Sequence, residues 1–158
     1  MAAEGNAMKI IIHKKERTLA LTDGSRPVFS CRVALGREPL GAKRMQGDGR
    51  TPEGAYFICL VKEPGKYGRS LGISYPNPAD AQAAYREGCI DRRTLDNICA
   101  AHSEKRRPPW GSPMGGEIYI HEGGSDRDWT EGCIALDEKD MDVLFAYHAQ
   151  VEEVLILP

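Results

Sequence analysis

The sequence predicts an α+β domain, mainly β with a few helices. Three observations carry this expectation: short apolar runs with β-branched residues open and close the chain, glycine and proline punctuate them, and helical periodicity is confined to a stretch near residues 76–116 and another after Asp137. A chain of 158 residues is the size of one domain, able to bury roughly two-thirds of its unfolded surface. A single unit over 1–158 is therefore expected. With 41% hydrophobic residues, 28% charged and a net charge of -2, the chain lacks the basic footprint of a nucleic-acid binder. No run approaches the ~20 apolar residues of a membrane span. The opening residues MAAEGNA lack the charged and apolar regions of a secretory leader, so at face value the chain is cytoplasmic or begins after a removed leader.

Residues 8–13 (MKIIIH), 17–23 (RTLALTD) and 26–35 (RPVFSCRVAL) read as strands, broken at Lys14-Lys15-Glu16 and at Asp23-Gly24-Ser25. Asp-Gly accepts the positive φ of tight hairpins, so an antiparallel meander is expected. His13 ends the first run as a surface residue. From Leu35 to Gly54 the chain is rich in glycine and proline, with turn chemistry at Gly47-Asp48-Gly49 and Thr51-Pro52-Glu53-Gly54. A loop that long is expected to be a binding element or a lid, and it feeds a strand over 55–61.

A short strand from Leu71 turns at Pro76-Asn77-Pro78 into a helix over about 80–86. Asp91 caps a second helix in which Leu95, Ile98, Cys99 and His102 share one face, and Pro108-Pro109 stops it. His102 on that face is expected to be packed or hydrogen-bonded. The two helices form an insertion over about 76–116, expected to cap the active end of the sheet. Lys105-Arg106-Arg107 reads as a solvated helix end or a contact for an anionic ligand. After a strand at 118–120, Asp137 with Asp140 three residues on predicts a variant capping box. Met141, Leu144, Phe145 and His148 mark that last helix's buried stripe, and 153–157 is the closing strand.

The chemistry concentrates in Gly116–Leu136, GEIYIHEGGSDRDWTEGCIAL. His121 ends a strand and Cys133 follows a glycine, with the Gly123-Gly124 hinge between them. These are the parts of a thiol–imidazole pair in which the base activates the nucleophile. Gly132 leaves room for a substrate carbonyl, and the N–H groups of 132–134 are expected to face a developing oxyanion. The helix downstream is expected to lower the thiol's pKa, with Asp137 opposing it. His121 needs an orienting partner, for which Glu122, Asp126, Asp128 and the main-chain carbonyls of 122–124 are candidates. Trp129 either floors the pocket or pins the loop. A zinc site would use His121, Cys133 and an aspartate, without the paired spacing such sites usually show. Of the other thiols, Cys31, Cys59 and Cys99 read as buried and inert, and nothing beside Cys89 would activate it.

These residues resemble the YkuD-type L,D-transpeptidases of bacterial cell walls, whose signature is a His-Gly segment at a strand end, a loop, and then Ser/Thr-His-Gly-Cys with a hydrophobic residue and Arg or Asn. His121, Gly123, Thr130, Gly132, Cys133 and Ile134 fit that pattern, and Gly36, Gly41, Lys43 and the run Gly47 to Gly54 fit an upstream block. The resemblance implies a mixed β-sandwich with a helical capping insertion. It implies that Cys133 attacks a peptidoglycan stem tetrapeptide at the L-centre of its diamino acid and releases D-alanine. His121 is then the base, held by a carbonyl of Glu122 or Gly123, and the acyl group passes to an amine to form a 3-3 cross-link. No metal or organic cofactor is implied, and the setting is the cell envelope. Substrate contacts would involve Thr130, Trp129, Glu131, Ile134, Ala135, Arg50 and Lys43. Glu131 stands where the motif has histidine, and Ala135 where it has Arg or Asn; Arg50, Lys43 or Arg127 would have to supply the missing positive charge. The string Asp-Trp-Thr-x-Gly-Cys-Ile-Ala-Leu looks like a branch whose members include hydrolases that cut a wall-attached protein from peptidoglycan, which makes water an alternative acceptor. A non-catalytic peptidoglycan-binding module is the reading from another class.

Overall fold

Alternation along the first strand sets one face of the core. In the computed structural model, which describes residues 7–65 and 68–158, β1 (Met8–His13) buries Met8, Ile10 and Ile12 and turns Lys9, Ile11 and His13 outward. Antiparallel pairing with β2 (Thr18–Asp23), and of β2 with β3 (Arg26–Arg32), gives the expected meander. β9 (Val151–Leu157) lies parallel to β1 on its other side, and β4 (Gly54–Tyr56) pairs antiparallel with β9. The first sheet therefore runs β3-β2-β1-β9-β4. The second runs β5-β6-β7-β8, built from Ile58–Gly65, Gly68–Ile73, Tyr119–Glu122 and Ile134–Leu136. Leu19, Leu21, Val154 and Ile156 from the first sheet join Leu71, Ile73, Ile120, Ile134 and Leu136 from the second in one core. Each such side chain contributes roughly 1.5–3 kcal/mol by leaving water.

Several boundaries differ from expectation. The strand expected over 55–61 is two strands, because the chain changes sheets at Phe57. There Phe57 N donates to Ser74 Oγ at 2.9 Å, and Ser74 N donates to Phe57 O at 2.9 Å. β3 stops at Arg32; residues 33–35 are buried and leave the sheet to pair Ala34 with Ala135. β8, three residues long, is an element the sequence did not predict.

Between β6 and β7 lie α1 (Pro78–Arg86) and α2 (Arg92–Ser103). Asn77 and Asp80 close a reciprocal capping box on α1, and Asp91 caps α2 by accepting from Thr94 N at 2.8 Å. His102 is held as expected, its Nε2 within 2.8 Å of Ser74 O and 2.9 Å of Pro76 O. The capping box expected on α3 (Glu138–Tyr147) is absent. The Asp137 carboxylate instead accepts from Ser125 N and Oγ, both at 3.0 Å, and so ties the loop after His121 to the start of α3. In α3, Met141 and Leu144 are buried, while Phe145 and His148 are half-buried and in ring contact.

The long segment between β3 and β4 is a wall packed against the second sheet. Its clamp is Lys14, the first residue of the expected break after β1, only 2% exposed. Lys14 Nζ donates to Gly41 O at 2.9 Å, Thr51 O at 2.8 Å and Glu53 Oε2 at 3.0 Å. Burial pushes its pKa down against the raising effect of Glu53. Gly36 N donates to Thr51 Oγ1 at 3.0 Å, and a Cβ on Gly36 would stand 2.1 Å from Gly49 O. Only glycine permits that approach.

Candidate active site

Parallel pairing of β7 with β8 brings the two halves of the Gly116–Leu136 stretch together, Ile120 opposite Ile134 and His121 opposite Ala135. Cys133 immediately precedes the first pair, alongside Tyr119, whose N–H donates to Cys133 Sγ at 3.4 Å. Tyr119 and His121 are two residues apart on one strand, so both side chains project to the same face. On the other side of the thiol, Sγ lies 3.6 Å from Glu117 O. Glu117 has φ 56, a left-handed conformation uncommon outside glycine, which turns the chain into β7.

His121 is 2% exposed. Its Nδ1 lies 2.6 Å from Glu122 O and must be the donor to that carbonyl, so the neutral ring carries its lone pair on Nε2. The main-chain candidate is therefore the observed orienting partner. The carboxylate candidates are engaged elsewhere. Glu122 pairs with Arg69 at 2.8 Å, Asp128 pairs with Arg17 at 2.7 Å and accepts from Leu35 N at 2.9 Å, and Asp126 is exposed. Trp129 pins the loop through Nε1 to Gly124 O at 3.0 Å and sets its ring edge-on to His121, centroids 5.7 Å apart. Burial lowers the His121 pKa, against the Glu122 carbonyl and carboxylate that raise it. Burial also raises the Cys133 pKa, a correction to the expected helix effect; the Tyr119 N–H and the Lys43 charge oppose it. Both shifts favour the neutral form of the side chain.

Of the three N–H groups expected at an oxyanion, that of Gly132 donates to Thr130 Oγ1 at 3.0 Å, and Ile134 belongs to β8, whose backbone pairs with β7. Gly132 contributes clearance: at φ +134 its missing Cβ would stand 2.7 Å from Arg50 O. Thr130, buried, also donates through Oγ1 to Cys133 O at 2.7 Å, so it shapes the turn behind the thiol and does not face the cleft, contrary to its expected substrate contact. Ile134 and Ala135 are likewise fully buried in the core and make no wall of the cleft. Thr130→Val would strand two polar groups at a cost of about 2–4 kcal/mol. Urea unfolding checks this, and a cost below ~0.5 kcal/mol would show the bonds to be dispensable.

The thiol opens on a cleft of about 300 Å³ walled by Lys43, Gln46, Trp110, Glu117, Ile118 and Glu131, among others. Glu131 is exposed and held by Arg37 through contacts of 2.6 and 2.9 Å. Lys43 is buried, with its Nζ 3.2 Å from Asp48 Oδ1 and 3.0 Å from Met45 O. Arg50 abuts Gly132 through its backbone but lines a neighbouring cavity, and Arg127 is exposed. The sequence did not point to Trp110 or Glu117. Trp110 packs where a Cβ on Gly116 would stand 2.2 Å from its ring, and a tryptophan after Pro-Pro at the entry to a glycine pair was the available signal. Among the described residues, no three histidine, cysteine or acidic side chains gather as a metal site. Burial pushes Cys31 up to about 12 and Cys59 up to about 11, in keeping with inert thiols.

Fold and site together define a two-sheet α+β domain whose cleft opens on a partly buried thiol, next to the strand that carries an oriented imidazole. The sequence profile of the YkuD family, the L,D-transpeptidase catalytic domain, matches residues 7–156, and the chain belongs to that family. No curated protein sequence shows a significant match to it. Among solved structures it is similar to a mutant of the helical cell shape determining protein Pgp2 from Campylobacter jejuni, with 24% identity, a TM-score of 0.68, and coverage of 98% of this chain and 48% of that one. It is similar to Bd1075 from Bdellovibrio bacteriovorus at 19% identity and TM-score 0.56, over 97% of this chain and 48% of that one. An L,D-transpeptidase from Xylanimonas cellulosilytica gives 12% identity and TM-score 0.55, over 99% of this chain and 63% of that one. The chain therefore spans about half the length of the first two of these proteins. Among the described residues no helix is long and apolar enough to cross a membrane.

Proposed function

We propose that this domain carries out cysteine-dependent acyl transfer on peptidoglycan stem peptides in the cell envelope. The observation that carries the reading is the thiol of Cys133 at the cleft, seated between the Tyr119 N–H and the Glu117 carbonyl beside the strand that presents His121 with Nδ1 fixed by Glu122 O. Family membership supports the substrate class. In this mechanism His121 Nε2 takes the thiol proton as Sγ attacks the carbonyl at the L-centre of the diamino acid. In this reading the main-chain N–H of Cys133 meets the developing oxyanion. The intermediate collapses with release of D-alanine, whose amine receives the proton from His121. An amine of a second stem then takes the acyl group and forms a 3-3 cross-link.

Water as acceptor is the second reading, with a tripeptide or a released wall-attached protein as product. It is favoured by Glu131, paired with Arg37 at the motif's histidine position, and by the buried Ala135 at its Arg or Asn position. Incubation with a disaccharide tetrapeptide, followed by mass spectrometry, separates the readings. A cross-linked dimer is the expected product, and free tripeptide without dimer would assign hydrolysis. Binding without turnover would leave only a peptidoglycan-binding module and overturn both enzymatic readings.

A further inference from the structure

Lys43 lines both the Cys133 cleft and a second cavity of about 690 Å³ between residues 42–50 and α1. That volume is in the range of small-molecule sites. Its walls carry short apolar groups, Ala79, Ala83 and Ala84 from α1 and Met114 from below, together with six charged side chains. Five of the six are satisfied within the protein. Lys43 pairs with Asp48, Arg44 pairs with Glu87, and Asp80 accepts from Tyr56 Oη at 2.7 Å and Asn77 N at 3.0 Å. Asp48 is further held by the N–H groups of Arg44, Met45 and Arg50, which outweigh burial and keep its carboxyl below the usual range.

The sixth is Arg50. Its guanidinium lies against Gly41, where an added Cβ would stand 3.3 Å from Nη1, and among the described residues no acceptor holds it. It also stands close enough to the Lys14 ammonium to disfavour that charge. A half-buried guanidinium that repels a neighbouring cation and has no counter-anion calls for an anionic ligand, and its planar fork matches a carboxylate. The Arg50 backbone touches Gly132, next to Cys133, and Lys43 lines both cavities, so the two share a wall.

We propose that this cavity binds the carboxylate-terminated end of a short peptide with alanine-sized side chains, Arg50 gripping the carboxylate while the same peptide passes Lys43 to reach Cys133. The assignment rests on the acyl-transfer reading for the identity of the peptide, not for the binding itself. The test is calorimetric titration of the Cys133→Ala variant with N-acetyl-D-alanyl-D-alanine and with its C-terminal amide. The free acid is expected to bind at least about tenfold more tightly, the loss expected when a charged hydrogen bond is removed. Arg50→Gln should abolish the difference, Arg50→Lys should retain part of it, and Ala83→Phe should block both ligands by filling the cavity. Thermal melts within a few degrees of the parent confirm that each variant is folded. Equal binding of acid and amide, or a difference that survives in folded Arg50→Gln, would overturn the proposal. The measurement uses a variant without the nucleophile, so its result stands whether or not the wild type turns over stem peptides. Discrimination without wild-type turnover would sink the catalytic reading alone, and turnover without discrimination would sink this one alone.

Discussion

Cys133→Ala is expected to give a folded domain that turns over a disaccharide tetrapeptide at least ~10⁴-fold more slowly, the scale of loss when an enzyme's covalent nucleophile is removed. Deleting Sγ removes the atom that the proposed mechanism uses as nucleophile while leaving the surrounding turn intact. Thr130 holds that turn through the main chain of Gly132 and the carbonyl of Cys133, neither of which the substitution touches. An unchanged melting temperature together with lost turnover is the expected pair of results. Activity within tenfold of wild type would mean that another group attacks, and the exposed thiol of Cys89 would be the next to remove.

The second expectation concerns the base. Burial depresses the His121 pKa below its ordinary 6.5, which favours the neutral ring that the proposed mechanism needs as base. The acid limb of the kcat/KM profile should therefore fall below pH 6.5, with rates rising as His121 loses its proton and level above that point. Burial raises the Cys133 pKa above 9.0, so alkylation by iodoacetamide should be slow at neutral pH and accelerate only in alkali. In the proposed mechanism the pair therefore starts as thiol and imidazole, and the proton moves during attack. His121→Asn should reduce kcat/KM by about 10²–10⁴-fold and erase the acid limb. Rapid labelling of Cys133 at pH 6 would instead reveal a preformed thiolate–imidazolium pair and refute this order of events.

What the sequence made legible was local. The alternation of β1 and the cap of α2 each depend on residues within a few positions, and both appear where the pattern put them. The Gly116–Leu136 stretch stood out through its own residues, and the parallel pairing of β7 with β8 joins its two halves. The unread features depend on partners far away in sequence. Lys14 marked only a break between strands, and its main-chain acceptors lie 27 and 37 residues on. Phe57 carries no mark of a change of sheets, since apolar residues continue on both sides of it. Asp137 met the local rule for a helix cap, and Ser125, twelve residues earlier, took its carboxylate instead. Thr130 looked like a substrate contact because it belongs to the motif, and only the turn geometry shows it facing inward.

The Lys14 clamp gives the cleft a property that a loop of that length does not suggest. A wall held by the turn that follows β1 and bridged to β8 is anchored to both sheets, so its local opening requires breaking buried bonds at both ends. The ligand therefore meets a preorganised surface and binds without the entropic cost of ordering a flexible flap. Selectivity then rests on rigid complementarity, and a peptide that does not fit has no induced closure to rescue it.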